Sequence, residues 1–285
     1  MNLSKDLLLK FLSAVLFGEK LDASDFAEAD WKSIFQLADE QTVSALLLDG
    51  MSLLPSECIT IPLGNKLKRI ATMQRIEQIN RLHRKVIVKI DQALKSEGIP
   101  VVFMKGQTTA LRYPNPLHRT PGDIDFVVNP KDFKKTMEVL EKIGKVDHDL
   151  VHEHHGMAWV DGVTVEPHYK VHNYQSPSTD HAMQEMFASV FPSELSPADM
   201  DGYAVPVFPP TFESVFLISH MVNHVYEEGL GLRQVIDYAM FLSSSADKID
   251  WLQHHEYLHQ MHMERAWRIF TCICVDYLGM SLPSQ

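Results

Sequence analysis

Two aspartates one residue apart, at the head of an apolar run, constrain this chain more than any other feature in it. The run is Gly122-Asp123-Ile124-Asp125-Phe126-Val127-Val128. It predicts a strand. Alternate side chains of a strand point to opposite faces, so Asp123 and Asp125 share one face while Ile124 and Phe126 turn to the other. Carboxylates that close repel and raise each other's pKa. Solvent, an arginine partner or a divalent cation can relieve that repulsion, and hard oxygen ligands suit Mg²⁺. A second apolar run, Val101-Val102-Phe103-Met104, lies upstream behind Pro100 and also predicts a buried strand. Lys105-Gly106 follows it directly. A helix-compatible piece from Gln107 to Arg112 comes next, then a proline-rich loop from Tyr113 to Pro121.

Lys105-Gly106, Tyr113-Pro114, Arg119 and Asp123-Ile124-Asp125, in that order, resemble the motifs of the polymerase-beta-type nucleotidyltransferase superfamily. Within it they are similar to a bacterial branch known as uncharacterised nucleotidyltransferases. The motifs span residues 98–172, and the likeness extends weakly over the helical segment beyond. The resemblance implies an α+β fold: a small mixed β-sheet core flanked by N-terminal helices and a C-terminal helical bundle. It also implies a third carboxylate on a later strand, and Glu166 in Val163-Thr164-Val165-Glu166-Pro167-His168 is the match. Asp123, Asp125 and Glu166 are then the catalytic residues and the ligands of Mg²⁺ (or Mn²⁺), with Glu166 as general base. Lys105, Gly106, Gln107 and Arg119 fall beside the nucleotide's phosphates. In the resembled proteins a histidine and an Arg/Asp pair of the C-terminal bundle cover the nucleotide, which implies that role for His220, His224, Arg233 and Asp237. One position departs from the pattern: the loop usually reads Gly-Ser or Gly-Gly, and here Gln107 follows Gly106.

The activity implied is transfer of an NMP from an NTP to a hydroxyl or phosphate acceptor, whether a small molecule, a peptide or protein, or an RNA end. Composition narrows the partners. A net charge of −11 opposes an extended nucleic-acid surface or binding to anionic membrane, while leaving room for a local basic pocket. No segment approaches the roughly 20 apolar residues of a membrane helix. Cys58, Cys272 and Cys274 make neither a disulfide framework nor a zinc motif, so a reducing cytoplasm is the expected setting. The apolar run Leu7 to Phe17 is broken by Lys10 and lacks a small-residue cleavage site after it.

Three regions are expected: helices over 1–97, the nucleotidyltransferase-like α/β core over 98–208, and a helical bundle over 209–285. Leu8, Phe11, Leu12, Val15 and Leu16 mark a first helix with Ser4 as N-cap. Asp30 to Ala38 and Gln41 to Leu54 predict two more, and Lys66 to Ser96 one long helix ending before Gly98. Asn129-Pro130 starts a helix that Gly144 ends. Asp161-Gly162 predicts a hairpin between His148–Val160 and Val163–His172. On its second arm Thr164, Glu166 and His168 share one face. Residues 173–202 read as a loop with one helix near 181–190, followed by a short strand from Tyr203 to Phe208. Helices near 211–224, 232–242, 249–262 and 264–278 complete the chain, with Thr211 as a cap and Arg233 and Asp237 spaced for an i,i+4 ion pair. The histidines His148, His152, His154, His155, His168 and His172 crowd the hairpin. They leave open a metal-dependent phosphohydrolase, although His154 and His155 cannot both face one side of a strand. A binding module without catalysis is the other alternative.

Overall fold

The computed structural model describes residues 3–149, 154–172, 174, 176–227 and 229–282. The apolar spacing of three and four at the start of the chain becomes α1 (Leu3–Phe17), α2 (Trp31–Glu40) and α3 (Ser44–Met51). Asp30 caps α2, accepting from the Ser33 amide at 3.2 Å, which satisfies a free N–H of its first turn. Ser4 does not cap α1: it lies inside the helix and is buried. α4 (Leu63–Ser96) has 34 residues, about 50 Å at 1.5 Å per residue. Its second half buries Val86, Ile87, Ile90 and Leu94. Gly98, at φ +69°, then turns the chain into the sheet through a left-handed conformation that costs glycine little.

β1 (Val101–Met104) leads through α5 (Gln107–Ala110) to β2 (Ile124–Val128), its antiparallel neighbour. α6 (Phe133–Ile143), β3 (Lys145–Asp147), β4 (Met157–Val160) and β5 (Val163–His168) follow, then α7 (Pro177–Val190), β6 (Ser196–Met200) and β7 (Tyr203–Val207). The seven strands form one sheet in the order β3-β4-β5-β2-β1-β7-β6. β5 lies parallel to β2 and β7 parallel to β1; the remaining pairs are antiparallel. The fold is mixed α+β, as the resemblance implies.

Alternation sorts the central strands between two cores. Val101, Phe103, Ile124, Phe126 and Val128 pack with Val86, Ile90 and Leu94 of α4 and Leu140 of α6. Val102, Met104 and Val127 join the core of the other helices. That second core is shared by α1–α3, α7 and the C-terminal helices α8 (Pro210–Glu227), α9 (Leu232–Ser245), α10 (Trp251–Gln260) and α11 (Glu264–Leu278). The two ends of the chain therefore close together over one face of the sheet, the face on which Asp125 lies. Phe126 is fully buried, and truncating it to Ala would cost about 3–5 kcal/mol. None of the described helices is long and apolar enough to cross a membrane.

Several expected boundaries move. Asn129 caps a single 3-10 turn, Pro130–Asp132, before α6 begins. Gly144 ends α6 in an extended rather than left-handed conformation. Glycine is needed there because an added Cβ would stand 2.2 Å from the Trp159 carbonyl oxygen on β4. The Asp161-Gly162 hairpin forms, with φ +50° and +82°, but its first arm is only β4. Lys145–Asp147 is a separate strand beside β4, and His152 lies outside the described residues. The 173–202 segment contains a strand as well as a helix: β6 pairs with β7 through Asp201-Gly202, a second turn of positive φ. As the sheet's edge, β6 turns Ala198 and Met200 inward and leaves Pro197 and Asp199 exposed. Thr211 lies within the first turn of α8, where its hydroxyl accepts from the Asp250 amide at 3.0 Å.

Candidate active site

β1 ends at Met104, and Lys105 and Gly106 both take positive φ, +42° and +57°. For Lys105 such a conformation costs on the order of 1 kcal/mol or more. Its side chain is anchored in return, with Nζ 3.2 Å from Asp125 Oδ1. Asp125 sits on β2 opposite Met104 and is buried. Asp123, half-buried, precedes the strand on the same face. The parallel register of β2 and β5 sets Glu166 beside Asp125 and His168 beside Val127. Sheet pairing thus gathers what the sequence separates.

His168 Nε2 lies 3.1 Å from Asp125 Oδ1 and 3.8 Å from Glu166 Oε2. His168 Nδ1 is sealed off without a partner, so Nε2 is the nitrogen that faces the carboxylates. His155 Nδ1 is 3.9 Å from the same Glu166 oxygen. Burial alone would raise the pKa of Asp125, but Lys105 and the His168 hydrogen bond outweigh it and hold the carboxyl well below the usual range. Asp123 is raised, first by the charge of Asp125 and then by burial. Burial, then Asp125 and Asp123, push Glu166 up to about 8. Buried carboxylates crowded this way have more negative charge than Lys105 balances. Asp125, Glu166 and His168 present ligand atoms all within 4.8 Å of one another, so this donor set fits a divalent cation.

Two cavities meet here. The larger, about 540 Å³, is lined by Glu166 with His154, His155, His168 and His172. The smaller, about 260 Å³, is lined by Gly106, Asp125, Arg119, Arg233 and Asp237. Lys105, Asp123, His220 and His224 border both. His220 and His224 face each other from α8, Nε2 to Nε2, at 3.1 Å. His154 and His155 do both face the larger cavity, contrary to the strand argument. They precede β4, His155 making only an isolated bridge to His168, so strand alternation does not govern them.

The smaller cavity's polar wall departs from expectation. Asp237 does not pair with Arg233. Its two oxygens accept from Arg119 at 2.8 and 2.7 Å, and Tyr113 donates to it at 2.6 Å. The planar guanidinium fork matches a carboxylate, and that geometry wins over the i,i+4 neighbour. Arg233 Nη1 donates to the Thr120 carbonyl at 3.3 Å, and its Nε is buried without a partner. Gln107 points away from both cavities. It donates to Asn80 of α4 at 2.6 Å, and Asn80 donates in turn to the carbonyls of Leu117 and Arg119 at 2.6 and 2.9 Å. Where the superfamily usually has a small residue, this chain has a strut that fixes the 113–121 loop.

Reading the sequence missed Asn80, Tyr113 and His168 as parts of this arrangement. Two of them left a signal: Tyr113 in the Tyr113-Pro114 motif, and His168 in its place on the same strand face as Glu166. His148 stands apart, exposed beside Glu141.

Residues 27–279 match the model of a family described as uncharacterised nucleotidyltransferase. No curated protein matches the sequence. Among solved structures, the chain is similar to the solution structure of the antibiotic-resistance factor ANT(2'')-Ia, with 13% identity over 66% of this chain and 98% of that one, at a TM-score of 0.43. A crystal structure of ANT(2'')-Ia in complex with adenylyl-2''-tobramycin gives 13% identity, 63% and 98% coverage, and a TM-score of 0.44. An antigenic nucleotidyltransferase-like protein from Paracoccidioides brasiliensis gives 14%, 70% and 94%, and 0.40.

Proposed function

The chain belongs to the uncharacterised nucleotidyltransferase family, and from that premise we propose that it transfers an NMP from an NTP to the hydroxyl or phosphate of a small acceptor. The observation that carries this reading is how the carboxylates divide between the cavities. Asp125 faces the smaller lobe, Glu166 the larger, and Asp123 borders both. A donor and an acceptor held in separate lobes would meet at that border, which is the positioning a group transfer needs.

In this reading the triphosphate lies in the smaller lobe, against the Gly106 backbone and the cations Lys105 and Arg233. Arg119 is already neutralised by Asp237, so its part is to fix the lobe's wall. Asp123, Asp125 and Glu166 would hold Mg²⁺ or Mn²⁺. A cation there supplies positive charge that keeps the carboxylates ionised and offsets charge on the phosphates. The acceptor enters the larger lobe, and its oxygen bonds to the α-phosphorus. Its proton passes to Glu166. The bond from the α-phosphorus to the bridging oxygen breaks, and pyrophosphate leaves. The net charge of −11 favours a small acceptor over a polynucleotide.

The test is incubation with each α-labelled NTP, with Mg²⁺ or Mn²⁺, against small-molecule, peptide and RNA acceptors. Label is expected on one acceptor class, with stoichiometric pyrophosphate. NTP binding without transfer to any acceptor would favour a binding module. Release of γ-phosphate instead would favour a hydrolase.

A further inference from the structure

We propose that His168 is itself a metal ligand, so that the cation site combines carboxylate and imidazole donors and prefers a first-row divalent ion such as Mn²⁺ to Mg²⁺. The inference rests on the metal-dependent reading above and goes beyond the three carboxylates assigned there.

The geometry comes first. Asp125, Glu166 and His168 form a group whose ligand atoms all lie within 4.8 Å of one another. Asp123 lies outside that group. Two donors at right angles around an ion about 2.1 Å away stand about 3 Å apart. His168 Nε2 and Asp125 Oδ1 are 3.1 Å apart, and Nε2 is 3.8 Å from Glu166 Oε2. The Asp125 distance matches a right-angle pair of ligands, and the Glu166 distance matches a pair about 130° apart around the same ion.

The backbone holds this arrangement. Glu166 and His168 are alternate residues of β5, so they project to the same side, and the parallel register fixes them against Asp125 and Val127 of β2. Asp125 and His168 are both buried, so packing limits their rotamers. Donors on paired strands are placed more firmly than donors on loops. His168 Nδ1 is sealed from the cavity, which leaves Nε2 as its one nitrogen for a ligand.

The donor set then decides the ion. Mg²⁺ favours oxygen donors and retains its waters. Imidazole favours first-row transition ions, and carboxylate oxygens accept Mn²⁺ as well as Mg²⁺. Two carboxylates and one imidazole thus raise affinity for Mn²⁺ more than for Mg²⁺.

The experiment is pulsed electron paramagnetic resonance on the full-length chain loaded with Mn²⁺, without nucleotide, with natural and isotopically labelled histidine. Calorimetric titrations of Mn²⁺ and Mg²⁺ accompany it. In the wild type, directly coordinated imidazole nitrogen is expected, altered by the label. In His168→Gln that coupling should vanish and Mn²⁺ affinity fall by about tenfold or more, with Mg²⁺ affinity little changed. The wild-type spectrum needs no variant, so a misfolded mutant would not spoil the test. Bound Mn²⁺ with no nitrogen coupling, or coupling that survives in folded His168→Gln, would overturn the ligand and leave the carboxylate site standing. A wild type that binds no Mn²⁺ at all would overturn this ligand, and the labelled-NTP assay with Mg²⁺ would then decide the metal-dependent reading separately.

Discussion

The two lobes are built from similar side chains and treat them in opposite ways. In the smaller lobe Arg119, Asp237 and Tyr113 are buried and satisfy one another through three hydrogen bonds of 2.6 to 2.8 Å. In the larger lobe the titratable groups frustrate one another. Glu166 is pushed up to about 8, chiefly by burial, and His172 is pulled down to about 4 by burial and then by Lys105. Polar groups that complete each other form a frame, and their loss should appear as lost stability. Groups held in the wrong charge state for their chemistry mark where a ligand's charge belongs, and their loss should appear as lost activity.

The largest expected effect falls on the frame. Asp237→Ala leaves the Arg119 guanidinium buried and unpaired, which should lower stability by about 3–5 kcal/mol. Denaturant unfolding would measure it. A loss under 1 kcal/mol would place Arg119 among ordinary surface cations and blur the contrast between the lobes.

Next are the cations not neutralised within the frame. Lys105→Ala and Arg233→Ala should each weaken NTP binding by about 1.5–3 kcal/mol, read by calorimetric titration. Arg233→Ala should hardly change the melting temperature. If Arg233→Ala melts early and binds normally, it belongs to the frame instead.

A smaller effect concerns pH. His118 bridges α3 and α4, 2.6 Å from Asp49 and 3.1 Å from Glu77. The Asp49 hydrogen bond is the main cause of its raised pKa, burial working against it and Glu77 adding to it. A histidine raised on folding contributes stability that is full below its unfolded pKa of about 6.5 and is lost as pH rises through the folded value. Stability should therefore fall as pH rises through this window, by at most about 1.4 kcal/mol per pH unit for one proton. His118→Gln should flatten that slope. An unchanged slope would show that another group carries it.

The smallest effect is on the carboxylates themselves. Asp123→Asn removes a charge that Asp125 repels, so in metal-free buffer the melting temperature should hold or rise slightly. Asp125→Asn should lower it, because Lys105 and His168 lose their partner. Equal shifts in the two variants would mean the two aspartates are in equivalent settings, which the structure denies.

The chemistry was more legible in the sequence than the frame. The Asp123–Asp125 pair and the face shared by Glu166 and His168 follow from a period of two, and the hairpin from the turn signal at Asp161-Gly162, all local properties of the chain. The Arg119–Asp237–Tyr113 cluster depends on how α9 packs against a loop more than a hundred residues earlier. No spacing rule encodes that, and the i,i+4 rule pointed to Arg233 instead. The Gln107–Asn80 strut was hidden for the same reason. β6 was missed because its inward positions, Ser196, Ala198 and Met200, make too short and weak an apolar alternation, although Asp201-Gly202 repeats the turn signal read at Asp161-Gly162.

Glu166→Gln tests the contrast most directly. It keeps the size of the side chain and removes its ability to take a proton. Melting curves, NTP titration and α-labelled transfer would be measured on one preparation. The expected result is a stable protein that binds NTP and transfers at least about 10²-fold more slowly. A Glu166 whose role is only to pair with His155 and His168, at 3.9 and 3.8 Å, would give the reverse. The variant would lose roughly 1–3 kcal/mol of stability and keep full transfer activity, and that result would contradict the assignment of chemistry to the larger lobe.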